Sequence, residues 1–243
     1  MTHDHASSIS DISDAVIDRY SAKARIALAG GAPVDCEPDA FADGCFGAAA
    51  YPGTDAPEAA LRASLGCGNP LAVAGLQPGE TVLDLGSGGG LDVLLSARRV
   101  GPSGTAYGLD ASTDMLALAR ANAAQAGAAN AKFLQGHIED IPLPGEHIDV
   151  IISNCVINLS ADRPRALAEA YRVLRHGGRL GISDVIAEEN LGPRQRTEAE
   201  QRTGCTSGTL TAAGYRDQFT TTDDAGGGGL HSAIIKASKA AVA

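Results

Sequence analysis

No apolar run in this 243-residue chain approaches the roughly 18 residues that would suggest a membrane span. The first residues, Met1-Thr-His-Asp-His5, lack the basic and then apolar pattern of a signal peptide, so the expected location is the cytoplasm. Clusters of Lys and Arg are absent too. With 19 basic against 29 acidic residues and a net charge of −10, the chain would repel a nucleic-acid backbone, and a small or neutral substrate suits it better. No membrane and no nucleic-acid partner is expected. No two cysteines form a CxxC pair, which removes the local spacing of a zinc ribbon. The five cysteines are an odd number in a chain without an export signal, and they read as free thiols in a reducing compartment rather than a disulfide scaffold. Any joint role for them must be assembled by the fold. Internal repeats are absent.

What is present is globular: 44% hydrophobic and 20% charged residues, in a length that suits one α/β domain with appendages. Ile12, Val16, Tyr20 and Ala24 recur at helical spacing, so Ser10 to Leu28 reads as one amphipathic helix. His3 and His5 before it read as a disordered tail. From Ala29 to Pro57 the periodicity disappears among Gly, Pro and Asp, which marks a loop-rich cap carrying Cys36 and Cys45. A short helix follows Asn69-Pro70, because Pro is favoured in a first helical turn. Strand-like and helix-like segments then alternate: Thr81 to Leu85, helix Leu91 to Val100, Gly104 to Asp110, helix Met115 to Ala126, Ala131 to Leu134, Ile148 to Ser153, helix Pro164 to Leu174, and Arg179 to Asp184. Such alternation implies a doubly wound α/β fold with a parallel sheet covered on both faces. Glu188 to Arg202 is polar and helical in part. Phe219 to Thr222 and Leu230 to Ala237, around the Gly226 to Gly229 turn, read as a closing β-hairpin.

Chemistry concentrates first in Asp84-Leu-Gly86-Ser-Gly88-Gly-Gly90, at the carboxyl end of the first core strand and running into a helix. Glycines there allow a tight turn and close approach of backbone to a ligand, and a helix N-terminus presents N–H groups to an anion. Asp110 ends the second strand, where a carboxylate can accept hydrogen bonds from ribose hydroxyls. Together they describe an adenosine-containing cofactor. A dinucleotide fingerprint would need a third glycine where Leu91 or Val93 stands, which weakens the nicotinamide reading. The set Asp84, Gly86, Gly88, Gly90 and Asp110 instead resembles the first two motifs of class I methyltransferases. Gly136-His-Ile138-Glu139 stands where that family contacts adenine. Met115 reads first as helix packing, although its position at the start of the second helix leaves room for adenine packing, and it joins Asn154 among the candidate cofactor contacts.

Three cysteines sit in distinctive settings: Gly66-Cys67-Gly-Asn-Pro70, Ser153-Asn-Cys155-Val-Ile-Asn-Leu-Ser160 and Gly204-Cys205-Thr-Ser-Gly208. With the glycine motif between them, they closely resemble the arsenite methyltransferase family from about Cys45 to Lys236. The resemblance implies S-adenosylmethionine as methyl donor, arsenite and methylarsenite as substrates, and Cys67, Cys155 and Cys205 as ligands of As(III). It also implies that Cys45 and Cys67 supply electrons by forming a disulfide, with thioredoxin or glutathione restoring the thiols. The chemistry agrees: Cys155 directly follows a core strand, on the rim where ligands of such sheets bind, and soft, thiophilic As(III) is selected by thiolates. Cys67 and Cys205 are placed to fold over that rim. Cys36 reads as a small buried hydrophobe or an idle thiol. The expected organisation is a helix and cysteine-bearing cap over residues 1–70, a Rossmann-like class I methyltransferase core over 71–187, and a lid with its hairpin over 188–243. Two departures stand out: almost no chain lies between Tyr215 and Phe219, where the family places most of a helix, and Arg202-Thr203 is more polar than the resemblance suggests. The rival readings are a methyltransferase for another small molecule, with incidental cysteines, and a non-catalytic metalloid-binding protein.

Overall fold

The computed structural model describes residues 3–30, 53, 56–64, 68–187, 220–221 and 230–241. Along the chain come helices α1 (His3–Leu28), α2 (Glu58–Arg62) and α3 (Leu71–Ala74), then β1 (Thr81–Leu85), α4 (Leu91–Val100), β2 (Thr105–Asp110), α5 (Thr113–Ala126) and β3 (Ala131–Gln135). After them come β4 (Ile148–Asn154), a 3-10 turn (Ile157–Leu159), α6 (Arg163–Val173), β5 (Leu174–Ala187), β6 (Thr220–Thr221) and β7 (Leu230–Ser238). Local chemistry sets several of these bounds. The Ser112 hydroxyl accepts the Met115 N–H at 3.1 Å and opens α5, while Gly127 closes it in the left-handed conformation, φ 64°. Asp162 does the same at the start of α6, accepting the Arg165 N–H at 3.1 Å ahead of a first-turn Pro164.

β1 and α4 have the bounds expected of them, and the other core elements shift by a residue or two. Three differences are larger. α1 starts at His3, so His3 and His5 belong to a helix and not to a disordered tail; no Gly or Pro interrupts the chain between them and Leu28. β5 is far longer than Arg179 to Asp184, because a bulge between Ile148 and Val150 lets the register slip past His176-Gly177-Gly178. α2 has no counterpart in the sequence reading, where its five residues were too few to show a period.

The strands form one seven-stranded sheet in the order β3-β2-β1-β4-β5-β7-β6. β1 to β5 run parallel, and β7 is antiparallel to both β5 and β6. β6 and β7 pair antiparallel, the sense a closing hairpin needs, but only through Thr220↔Ser238 and Thr221↔Ala237, and most of β7 lies against β5, from Arg179↔Ser238 to Ala187↔Leu230. Alternate residues along each strand face opposite layers. Leu83, Leu85, Ile151, Leu180 and Ile182 pack against Leu167, Ala170 and Val173 of α6, while Val82, Val150 and Ile152 pack against Leu71, Ala74 and Val100 on the other face. Full burial of one such side chain contributes about 1.5–3 kcal/mol. α1 docks on α5: Ala24 and Ala27 meet Met115 and Leu118, the Ser21 and Ser112 hydroxyls share a buried 2.7 Å hydrogen bond, and Arg25 pairs with Asp114 at 2.8 Å. No helix among the described residues is long and apolar enough to cross a membrane. Because β1 lies between β2 and β4, the crevice at the carboxyl ends of these strands is the topological switch point, where ligands of such sheets bind.

Candidate functional site

The glycine loop after β1 folds as it does because Gly86, Gly88 and Gly90 all take positive φ, at 69°, 50° and 84°. Its N–H groups are largely committed within the protein. Gly86 and Ser87 donate to the Leu109 carbonyl at 2.8 and 2.9 Å, Gly90 donates to the Ser87 carbonyl, and Gly88 donates to Asp110 Oδ2 at 2.8 Å. The anion-binding capacity anticipated for this loop is therefore concentrated in the first turn of α4, whose N-cap Gly90 brings no side-chain capping bond. From α5, Asn122 steadies the loop by donating to the Gly89 carbonyl at 2.8 Å.

The loop borders one cavity, into which Asp84, Asp92, Asp110 and Glu139 also face. Lys and Arg are absent from its lining among the described residues. Burial pushes the Asp84 carboxyl well above its usual range, and the neighbouring Asp92 and Asp110 push it further. Asp110 is also raised by burial, against the pull of N–H groups from Ser112, Gly88 and Ala111. Asp110 holds Gly88 through one oxygen and the Ser112 N–H, at 2.9 Å, through the other. With the Ala111 N–H also directed at this carboxylate, acceptor capacity remains for one ligand hydroxyl. Asp84 Oδ1 and Ser87 Oγ are buried without a hydrogen-bond partner among the described residues. Such orphaned acceptors in an acid-lined cavity suit a cofactor that brings donors and positive charge, and a sulfonium amino acid has both. Open space around the Cα of Gly88 admits it. The residues present thus fit S-adenosylmethionine.

Met115, Ile138 and Asn154 line the same cavity, while Gly90 shapes the loop from behind, against Ala119 and Phe133. Met115 is also fully buried against α1, in line with its reading as helix packing. The Glu139 carboxylate is fixed by a short hydrogen bond from the Ser160 hydroxyl. Asn154 Nδ2 donates to the Gly68 carbonyl at 2.8 Å and to Asp92 Oδ2 at 3.3 Å.

Cys155 borders this cavity at the end of β4. Its φ is +58°, a left-handed conformation unusual for a side chain with a Cβ. Cys155 is disulfide-bonded, which corrects the expectation of five free thiols: an odd count and the lack of a CxxC pair do not keep two cysteines distant in sequence from meeting in the fold. Cys36, Cys45, Cys67 and Cys205 lie outside the described residues. So do Tyr215 to Phe219 and the Arg202-Thr203 pair.

The sequence reading missed the contribution of α1. Val16, Ile17 and Tyr20 line the cavity from above α5, together with Ala60 of α2. The signal was the stripe Val16-Tyr20-Ala24, which announces a buried helix face without saying what it faces. Asp92 was missed because a first-turn acid in a helix reads as ordinary dipole complementation.

A methyltransferase-domain family model matches residues 76–226. An arsenite methyltransferase of Halobacterium salinarum is 46% identical over 147 residues, which are 60% of this chain and 38% of that protein. The arsenite methyltransferase of Aquipseudomonas alcaligenes is 43% identical over 161 residues, 63% of this chain and 46% of the relative. The crystal structure of an arsenic(III) S-adenosylmethionine methyltransferase from Chlamydomonas reinhardtii superposes with a TM-score of 0.65 at 31% identity, covering 76% of this chain and 71% of that one. The chain belongs to the arsenite methyltransferase family. Its α/β sheet is the Rossmann-like sheet of class I S-adenosylmethionine-dependent enzymes. The matched stretches span less than half the length of the two curated arsenite methyltransferases.

Proposed function

We propose that this chain transfers methyl groups from S-adenosylmethionine to trivalent arsenic held by cysteine thiolates. The observation that carries the reading is the position of Cys155, on the same cavity as Asp84, Asp110 and the glycine loop. When bound, S-adenosylmethionine supplies an electrophilic methyl group on a sulfonium. Asp110 and the glycine loop would hold its adenosine part, with Ile138, Glu139 and Met115 around the base, and Asp84 with Asn154 would face its amino-acid end. The acid lining favours a cation there. Cys155, with Cys67 and Cys205 as the further thiolates, would strip arsenite of its oxygens and hold arsenic with its lone pair toward the methyl group. That lone pair is the nucleophile, so no general base is required. What the protein contributes is alignment and the exclusion of water.

Methyl-cation transfer leaves arsenic formally oxidised from As(III) to As(V), and two electrons must return it. Two thiols, Cys45 and Cys67 in this reading, supply them by closing a disulfide. A dithiol such as thioredoxin, or glutathione, then reopens it. The disulfide at Cys155 is not the Cys45–Cys67 bond of this cycle, and that sulfur binds arsenic only after its own reduction. Residues 188–243 would supply a lid with its hairpin, residues 1–70 a cap, and a reducing cytoplasm the setting.

Titrating the reduced protein with S-adenosylmethionine and with arsenite, then assaying methyl transfer with thiol present, tests the proposal. Binding of both ligands with transfer supports it. Binding of S-adenosylmethionine alone leaves a methyltransferase for another molecule, and binding of arsenite alone leaves a sequestering protein.

A further inference from the structure

Where β4 ends, the chain leaves the sheet through Cys155 and enters the 3-10 turn Ile157–Leu159. Two adjacent residues of β5 hold this exit. The Cys155 N–H donates to the Ser183 carbonyl at 2.8 Å, and Asn158 Nδ2 donates to Asp184 Oδ1 at 2.9 Å. Asn158 and Asp184 are 1% and 0% exposed. Arg163, at the start of α6, adds a third fixing point by donating to the Asn158 carbonyl at 3.1 Å. A buried amide–carboxylate pair is costly to desolvate, and an apolar pair of similar size would fill the space without that cost. What such a pair supplies instead is orientation, through a charge-assisted hydrogen bond with a fixed direction. The residue that needs orienting is Cys155, since its left-handed backbone is unfavourable for a residue with a Cβ and persists only where its surroundings impose it.

We propose that Asn158 and Asp184 are positioning residues for Cys155, pinning the turn that follows it so that its sulfur stands on the cavity rim in the orientation that arsenic capture requires. This rests on the reading of Cys155 as an arsenic thiolate. Neither residue borders the cofactor cavity, so the pair acts on the thiol and not on the methyl donor.

The test exchanges the partners. Asn158→Asp sets two buried carboxylates against each other, Asp184→Asn leaves a weaker amide–amide bond, and the two together restore an amide–carboxylate bond in reverse. Three quantities are measured: arsenite affinity of the reduced chain by equilibrium dialysis, S-adenosylmethionine affinity by calorimetry, and the reaction rate of Cys155 with a chromogenic disulfide. The last uses chains in which Cys36, Cys45, Cys67 and Cys205 are serine. Asn158→Asp is expected to weaken arsenite binding about tenfold and to shift the Cys155 rate by a similar factor, with S-adenosylmethionine affinity held within about twofold. The reversed pair is expected to return both to within about threefold of the parent chain. A folded Asn158→Asp chain with unchanged arsenite affinity and unchanged Cys155 rate would overturn the proposal, as would a reversed pair that restores neither. If Asn158→Asp does not fold, the same contrast is read between Asn158→Ala and the reversed pair. A parent chain that binds no arsenite ends the functional reading, while the Cys155 rates still judge the pair.

Discussion

Gly86 lies so close under Val156 that a Cβ at position 86 would stand 2.4 Å from Val156 Cγ2. The residue after Cys155 is thus in direct contact with the cofactor loop, and the two halves of the site share one packing surface. Gly86→Ala should destabilise the chain by about 1–3 kcal/mol, both from this overlap and from its positive φ, and should weaken S-adenosylmethionine binding. Adding Val156→Ala should recover part of the loss, because the overlap is relieved while the backbone strain stays. Denaturant midpoints of the single and double variants decide it. A Gly86→Ala chain as stable as its parent would show that Val156 has room to move.

Asp84 carries a stability cost that depends on pH. Its folded value lies above the ordinary 3.8, so as pH rises through that interval the unfolded chain releases a proton that the folded chain retains, and stability falls. In the absence of cofactor, Asp84→Asn should therefore melt at a higher temperature than the parent near neutral pH, with the gap closing as pH drops toward 3.8. The same substitution should weaken binding of the cationic cofactor. Thermal melts across pH, paired with calorimetric titration, give both readings. A parallel loss of stability and affinity would mean that Asp84 is satisfied in the free protein.

Arg179 fastens β5 to the end of α3, donating to the carbonyls of Ala74 and Gly75 at 2.6 and 2.7 Å and to both oxygens of Glu80 at 2.7 and 2.8 Å. Burial raises the Glu80 carboxyl, but the Arg179 hydrogen bond and charge and the Gln77 N–H outweigh it and hold the group below its ordinary 4.5. Glu80 thus adds stability above pH 4.5, which is lost as pH falls through the lower folded value. Arg179→Ala should cost about 1–3 kcal/mol at neutral pH, and Arg179→Lys should recover little, since an ammonium cannot reproduce the planar fork. The Arg179→Ala penalty should shrink in acid. A penalty independent of pH would assign the effect to the two carbonyls and not to Glu80.

Coordination number separates the thiol roles. Arsenite exchanges three oxygens for sulfur, whereas methylarsenite exchanges two. With Cys155 and Cys205 as the shared pair, Cys67→Ser should impair methylation of arsenite far more than methylation of methylarsenite, Cys155→Ser or Cys205→Ser should abolish both, and Cys36→Ser neither. Serine is a poor substitute because soft As(III) prefers sulfur. Rates on both substrates with excess thiol check this. Full activity of Cys155→Ser on either substrate would remove the central residue of the arsenic reading.

The glycine loop and its flanking elements were legible because several signals coincide there: an apolar run, a glycine cluster and the helix behind it gave β1 and α4 their observed bounds. Asp110 was legible for the same reason, as the last residue of the next strand. What escaped is non-local. The Val16-Tyr20 stripe announced a buried face, but its resting place over the cavity depends on Ser112 and Asp114, about ninety residues further on. The positive φ of Cys155 and its disulfide left no local trace in the sequence. The C-terminal strands were visible in their local pattern, yet the insertion of β7 beside β5 is a choice of partner that no local pattern encodes.

That insertion separates the order of the strands in space from the order in which they are synthesised. β5 leaves the ribosome well before β7, the strand that covers its outer edge from Arg179 to Ala187. Until residues 230–238 emerge, the nascent chain carries a long row of unpaired backbone donors and acceptors beside the hydrophobic Leu180 and Ile182. Another nascent chain, or a chaperone, can add a strand at that edge. Translation that stalls between Ala187 and Leu230 would therefore yield a species prone to aggregate, although the glycine loop and the β1–β4 crevice upstream have already been made.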